Sequence, residues 1–216
     1  MFTLYNYVLS GNCYKIRLFA ALLGVEYKIV SVDFYPGQEH RSPEMLALNP
    51  AGTVPVLTAG DLVLTETQAM LTWLAARFDP SETWLPRDPE RLATVVEWLG
   101  FAGRLTQSAG LARLQAMLSW PGDSDAAKAA ATEDLRRLEL ALTDRVLEGG
   151  LWLAGDAPTV ADIACFPYVA LSPDAGLEHE GYPAIRNWLY AVRGLPGFVT
   201  MPGIHYLHDV PRGADG

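Results

Sequence analysis

Asn49-Pro50-Ala51-Gly52-Thr53-Val54-Pro55-Val56-Leu57 is the stretch on which the fold of this chain turns. A proline cannot donate to a β-ladder, so Pro55 belongs at the head of a strand or on an edge. The ordinary reading is a trans proline where a strand begins. A cis bond there would turn the preceding backbone groups outward, and Val54 could then pair with an extended ligand as an added strand would. Residues 54–57 and 62–64 read as two short strands, and Thr58-Ala59-Gly60-Asp61 between them makes a hairpin. Upstream, Ser42-Pro43-Glu44 opens a short helix with serine as cap and proline in the first turn, ending near Asn49. Downstream, a helix runs from about 66 to 78.

Working outward to the N-terminus, residues 2–7 are rich in β-branched and aromatic side chains and read as a strand. Ser10-Gly11-Asn12 is a turn and helix entry. Cys13, Ile16, Phe19, Ala20 and Leu23 then recur at helical spacing, and Gly24 is a stop. A second strand covers 27–32. The unit is β-α-β, which implies a parallel pair with a right-handed crossover. The first eighty residues are therefore βαβ, α, ββα.

Working outward to the C-terminus, three prolines between Asp79 and Pro89 mark a linker, placed at 80–88. No convincing strand follows. Helical patterns cover 89–119, 125–148, 159–170 and 183–193, with Asp88 as cap and Pro89 in the opening turn of the first. The expected organisation is a unit at 1–79, the linker, and an all-helical unit at 89–216.

Bulk properties exclude several classes. The 216 residues carry a formal charge of -9 with no Lys/Arg cluster, which argues against a nucleic-acid partner. The two cysteines, Cys13 and Cys165, rule out paired-cysteine metal sites, and no metal is expected. The N-terminus has no basic region, long apolar run or cleavage pattern, and apolar runs elsewhere stop short of membrane-spanning length. The expectation is a soluble cytoplasmic protein without a membrane partner.

Three local features carry chemistry. Val54-Pro55 is one. Glu66-Thr67, opening a helix, is another: exposed N–H groups and the positive dipole end there bind carboxylates, although Glu and Thr are also ordinary first-turn residues. The third is Ser10-Gly11-Asn12-Cys13. A hydroxyl and an amide at a helix N-terminus can donate to a thiolate and lower the pKa of a thiol bound there, although both residues also serve as plain caps. Cys13 itself falls on the apolar stripe of its helix and reads as core.

Their order along the chain resembles the glutathione transferase superfamily. SGNCYKIR at 10–17, the stretch 49–57, and Leu64-Thr65-Glu66-Thr67 are similar to its N-terminal domain. Asp156-Ala157-Pro158-Thr159-Val160-Ala161-Asp162-Ile163-Ala164 resembles its buried capping box, with Thr159 as cap and Asp162 reaching back. The resemblance implies a thioredoxin-like βαβαββα domain followed by a helical bundle, that is, an α/β plus all-α fold. It implies glutathione as co-substrate, with Val54 pairing with the cysteinyl backbone beside a cis Pro55. Glu66 and Thr67 would hold the γ-glutamyl end, and His40, Arg41 and Thr53 would lie toward the glycine carboxylate. Where many relatives carry Lys, Gln or His beside the Val-Pro, this chain has Gly52 and Thr53.

Ser10 stands where serine and cysteine classes keep the reactive side chain, with Asn12 as a second donor. Against a C-x-x-C, the first cysteine is replaced by serine, so the group can hydrogen-bond a thiolate but cannot form a mixed disulfide. The resemblance thus implies transfer of glutathione to a small hydrophobic electrophile, in a pocket assigned to Leu9, Phe101, Arg104 and Arg113. Two other expectations stay open: a glutathione-dependent peroxide or disulfide reductase, and a non-catalytic binding protein. A homodimer is implied by the family alone.

Overall fold

The computed structural model describes residues 1–207, so the last nine positions of the expected helical unit lie outside the described residues. The chain begins with β1 (Thr3–Asn6), α1 (Gly11–Leu22) and β2 (Lys28–Ser31). β1 and β2 pair in parallel, Thr3 opposite Lys28, across the α1 crossover. Next come α2 (Pro43–Leu48), β3 (Val56–Ala59), β4 (Leu62–Leu64) and α3 (Thr67–Phe78). β3 runs antiparallel to both β1 and β4, and the sheet order is β2-β1-β3-β4. This is the thioredoxin-like arrangement. Strand β3 starts after Pro55 rather than at Val54, because Pro55 has no N–H to give the ladder.

Helix boundaries follow caps. Ser10 and Ser42 accept hydrogen bonds from the Cys13 and Met45 N–H groups and fix the starts of α1 and α2. Gly24, at φ +64°, takes the left-handed conformation just beyond α1 and ends it. Residues 79–88 carry no helix or strand and connect α3 to the helical half.

That half contains α4 (Pro89–Leu105), α5 (Leu111–Leu118), α6 (Ser124–Leu147), α7 (Val160–Ala170) and α8 (Pro183–Arg193). The helical run expected over 89–119 is present from Pro89 to Leu118, with a π turn at Thr106–Gly110 set between α4 and α5. Thr106 and Ser108 hydroxyls bond back to the Ala102 and Arg104 carbonyls there. Periodicity could not place the π turn, because one extra residue shifts the phase of the apolar stripe without ending it. The Tyr168 ring explains the glycine in this turn. A Cβ on Gly110 would lie 3.0 Å from the ring, and one on Gly11 at 2.7 Å, so the ring sits between two bare backbones.

One core joins the two halves. Tyr14, Ile16 and Phe19 of α1 meet Met70 and Leu71 of α3 and Phe166 of α7, all buried. α7 is the central helix, and its start is a capping box in which Asp162 also accepts from Leu153 N–H and the Trp188 indole. No helix of the described residues is long and apolar enough to cross a membrane.

Candidate active site

A cavity of about 310 Å³ opens where the N-terminus of α1 faces the π turn and α5. Its polar end is made by Ser10 and Asn12, with Tyr7 and Leu9 from the β1–α1 loop and Thr53 and Val54 from the loop before β3. Its opposite wall is apolar. Leu111, Leu114, Met117 and Leu118 of α5 line it together with Phe34 and Trp120, whose rings stack with centroids 5.8 Å apart.

The β1–α1 loop is held from two sides. Arg17, in the second turn of α1, donates to the Val8 carbonyl at 3.0 Å and to the Asn6 side chain. Arg113 of α5 donates to the Leu9 carbonyl at 2.8 Å and pairs with Asp174 at 2.7 Å. Charge-assisted bonds on two successive carbonyls fix the path of the chain into Ser10. The Ser10 hydroxyl accepts from Cys13 N–H at 3.2 Å, which leaves its own proton available to a group in the cavity. Asn12 Oδ1 accepts from the Thr106 hydroxyl at 3.4 Å.

Cys13 points away from this space. It is fully buried, its sulfur accepts from Tyr7 N–H, and burial pushes the thiol pKa up. A neutral, enclosed thiol behaves as a small apolar side chain. The Tyr7 hydroxyl is likewise held in its neutral form, first by burial and then by Asp33.

The structure brings together Leu9, Ser10, Asn12, Thr53, Val54 and Arg113 of the residues singled out in the sequence. The Val54–Pro55 bond is cis, as is Tyr35–Pro36. Glu66 is exposed just before α3 and makes no capping bond with its side chain, so its presence is not explained as a cap. Thr67 begins α3, and neither residue borders the cavity. His40 is buried and stacks on Phe34 with ring centroids 4.0 Å apart. Burial and then Arg41 lower its pKa. Arg41 is exposed, and its stem lies beside Gly52.

Two residues expected in the electrophile pocket are elsewhere. Phe101 is buried in the core, edge-on to Trp98 and under the Arg137 guanidinium. Arg104 is turned to the buried Asp134, at 2.5 Å, rather than to the cavity. The π turn is the cause: it rotates the side chains before and after it onto different faces, so α5 rather than α4 supplies the apolar wall. The Leu111-Leu114-Leu118 spacing was a legible signal for that wall. Phe34 and Trp120 lie in loops, and no local pattern marked them.

A thioredoxin-like sheet half, a helical half and a donor-tipped helix N-terminus on their shared cavity define the class of protein. Residues 9–77 match the family model for the glutathione S-transferase N-terminal domain, and 123–190 match that for the C-terminal domain. The crystal structure of a glutathione S-transferase from Pseudomonas fluorescens is 30% identical, covers 93% of this chain and 98% of its own, and superposes with a TM-score of 0.82. Glutathione S-transferase theta-1 of Bos taurus is 29% identical over 94% of this chain and 86% of its own length. Glutathione S-transferase 1 of Dianthus caryophyllus is 29% identical over 85% and 83%. This chain belongs to the glutathione S-transferase family.

Proposed function

We propose that the chain transfers glutathione to small hydrophobic electrophiles. One observation carries this: Ser10 and Asn12 line the same cavity as Leu111, Leu114, Met117 and Leu118 of α5, Phe34 and Trp120. Glutathione lies along Thr53 and Val54 beside cis Pro55, its γ-glutamyl end toward the free N–H groups at Glu66 and Thr67. His40 and Arg41 flank its glycine end. The sulfur then reaches Ser10 and Asn12, whose donors favour the thiolate; lowering a thiol pKa by two units stabilises it by about 2.7 kcal/mol. The thiolate attacks the electrophile's carbon, the carbon–leaving-group bond breaks, and the leaving group departs as an anion.

The glutathione-binding unit is 1–79, joined through 80–88 to the helical unit. A homodimer is proposed from the family, with the exposed Leu62 and Val63 of edge strand β4 and Val96 of α4 available for it. The cytoplasm is the proposed location. Retention on immobilised glutathione together with turnover of a chlorinated aromatic supports transferase chemistry. Turnover only of hydroperoxides or mixed disulfides replaces it with a reductase, and neither retention on glutathione nor turnover leaves a non-catalytic protein that uses this fold as a binding module for something else.

A further inference from the structure

Lys15, in the second turn of α1, is completely buried, and none of the described ion pairs includes it. Its ammonium reaches two groups. One is the Thr106 hydroxyl, with Nζ 3.4 Å from Oγ. The other is the ring of Tyr168, 5.0 Å away. Thr106 Oγ in turn lies 3.4 Å from Asn12 Oδ1 and 3.1 Å from the Ala102 carbonyl. Asn12, Thr106 and Tyr168 all border the cavity.

An ammonium carries three donors and no acceptor, so Thr106 must accept from Lys15 and pass its own proton to an oxygen. A cation on that side also repels the positive amide end of Asn12 and attracts its carbonyl end. We infer that Lys15 is a positioning residue for the thiolate site: acting through Thr106, it holds Asn12 with its oxygen inward and its NH₂ toward the cavity. This rests on the glutathione reading given above. An unpaired buried ammonium is unfavourable for folding, and an apolar side chain of the same length would avoid that cost. Its place behind Asn12 gives it a use. The titratable groups facing it, Cys165 and Tyr168 of α7, are kept neutral by burial, Tyr168 pushed up to about 12. Burial lowers the Lys15 pKa to about 8, so the cation persists at neutral pH.

The test uses Lys15→Met, Thr106→Val and the double variant of the full chain. Thiolate absorbance of bound glutathione is titrated, with glutathione Kd, kcat/KM for a chlorinated aromatic and melting temperature measured alongside. Lys15→Met is expected to raise the bound-thiol pKa by about one unit and lower kcat/KM about tenfold below that pKa. The glutathione Kd should change less than about twofold, and the melting temperature should not fall. Thr106→Val keeps the lysine but breaks the relay, and should shift the titration in the same direction. The double variant should be no worse than the more affected single one. An unchanged thiol titration in either single variant, or additive losses in the double, overturns the role of Lys15. Absence of any bound-thiolate signal in the unaltered protein overturns instead the glutathione reading, and this inference with it.

Discussion

Helices α1 and α7 begin with the same chemistry and use it differently. Each has a hydroxyl cap, Ser10 or Thr159, and each carries a buried ionisable side chain within two turns, Lys15 or Asp162. At α7 everything is enclosed. Thr159 is wholly buried, and the Asp162 carboxyl accepts from Thr159 N–H at 2.8 Å, Leu153 N–H at 3.1 Å and the Trp188 indole at 2.9 Å. At α1 the cap looks into a cavity with its proton unassigned, and the buried ammonium has one hydroxyl at 3.4 Å. A capping residue becomes available for chemistry when the space beyond the helix is left open and its donors are left over. Where that space is filled, the same residue only holds the fold together.

The sharpest way to break this comparison is to remove the satisfied partner. Asp162→Ala leaves three N–H donors buried without acceptors and opens the helix cap. The expected loss is about 4 kcal/mol of unfolding free energy, read in urea titrations. A loss below about 1 kcal/mol would show that α7 is not the sealed, interlocked start described here.

Lys15 should do the opposite, and pH gives the sign. Its folded pKa is about 8 against an ordinary 10.5. Between those values the unfolded chain binds more protons than the folded one, so stability from this residue rises with pH across the window. Below about pH 8 the buried charge is a full liability. Lys15→Met should therefore be more stable than the unaltered chain at pH 7, by up to about 3 kcal/mol, with the gap closing as pH climbs from 8 toward 10.5. A constant gap over that range would show that the ammonium is not what the substitution relieves.

Ser10→Ala tests the open end. The cap bond to Cys13 N–H is lost, at about 1 kcal/mol of stability. The larger effect falls on function: the bound-thiol pKa should rise by about 1–2 units, and the pH–rate profile should move with it. An unmoved profile would leave Ser10 a cap of the α7 kind, and the two helix starts would no longer differ.

How far the sequence showed these things depends on range. Caps, turns and strand ends are written in neighbouring residues, so Ser42-Pro43, Gly24 and Thr159-x-x-Asp162 were legible, as was the βαβαββα order. The donor pair at Ser10 and Asn12 was legible for the same reason. The apolar wall was not fully so. Phe101 fits the helical stripe as well as any wall residue, and only the π turn at 106–110 assigns it to the core and Leu114 to the cavity. Lys15 is the extreme case. Nothing in the stripe of Cys13, Ile16 and Phe19 marks the lysine between them, and its burial arises because α7 and the π turn close over it from more than ninety residues away.

The smallest expected effects come from exchanging the two hydroxyl types, and they separate the helix starts most cleanly because both caps are kept. Thr159→Ser removes one methyl from a site with no exposure. That group cannot be replaced by water, so about 1 kcal/mol should be lost through transfer and cavity terms, with glutathione binding and thiol titration unaltered. Ser10→Thr adds a methyl beside a cavity, where space exists for it. Stability should move by no more than a few tenths of a kcal/mol, since both hydroxyls cap, and the thiol titration should stay in place because the donor remains. Thermal melts and thiolate titrations of the pair check this. Equal stability losses at the two positions would mean that the α1 cap is packed as tightly as the α7 cap, and that its hydroxyl has no free space to serve.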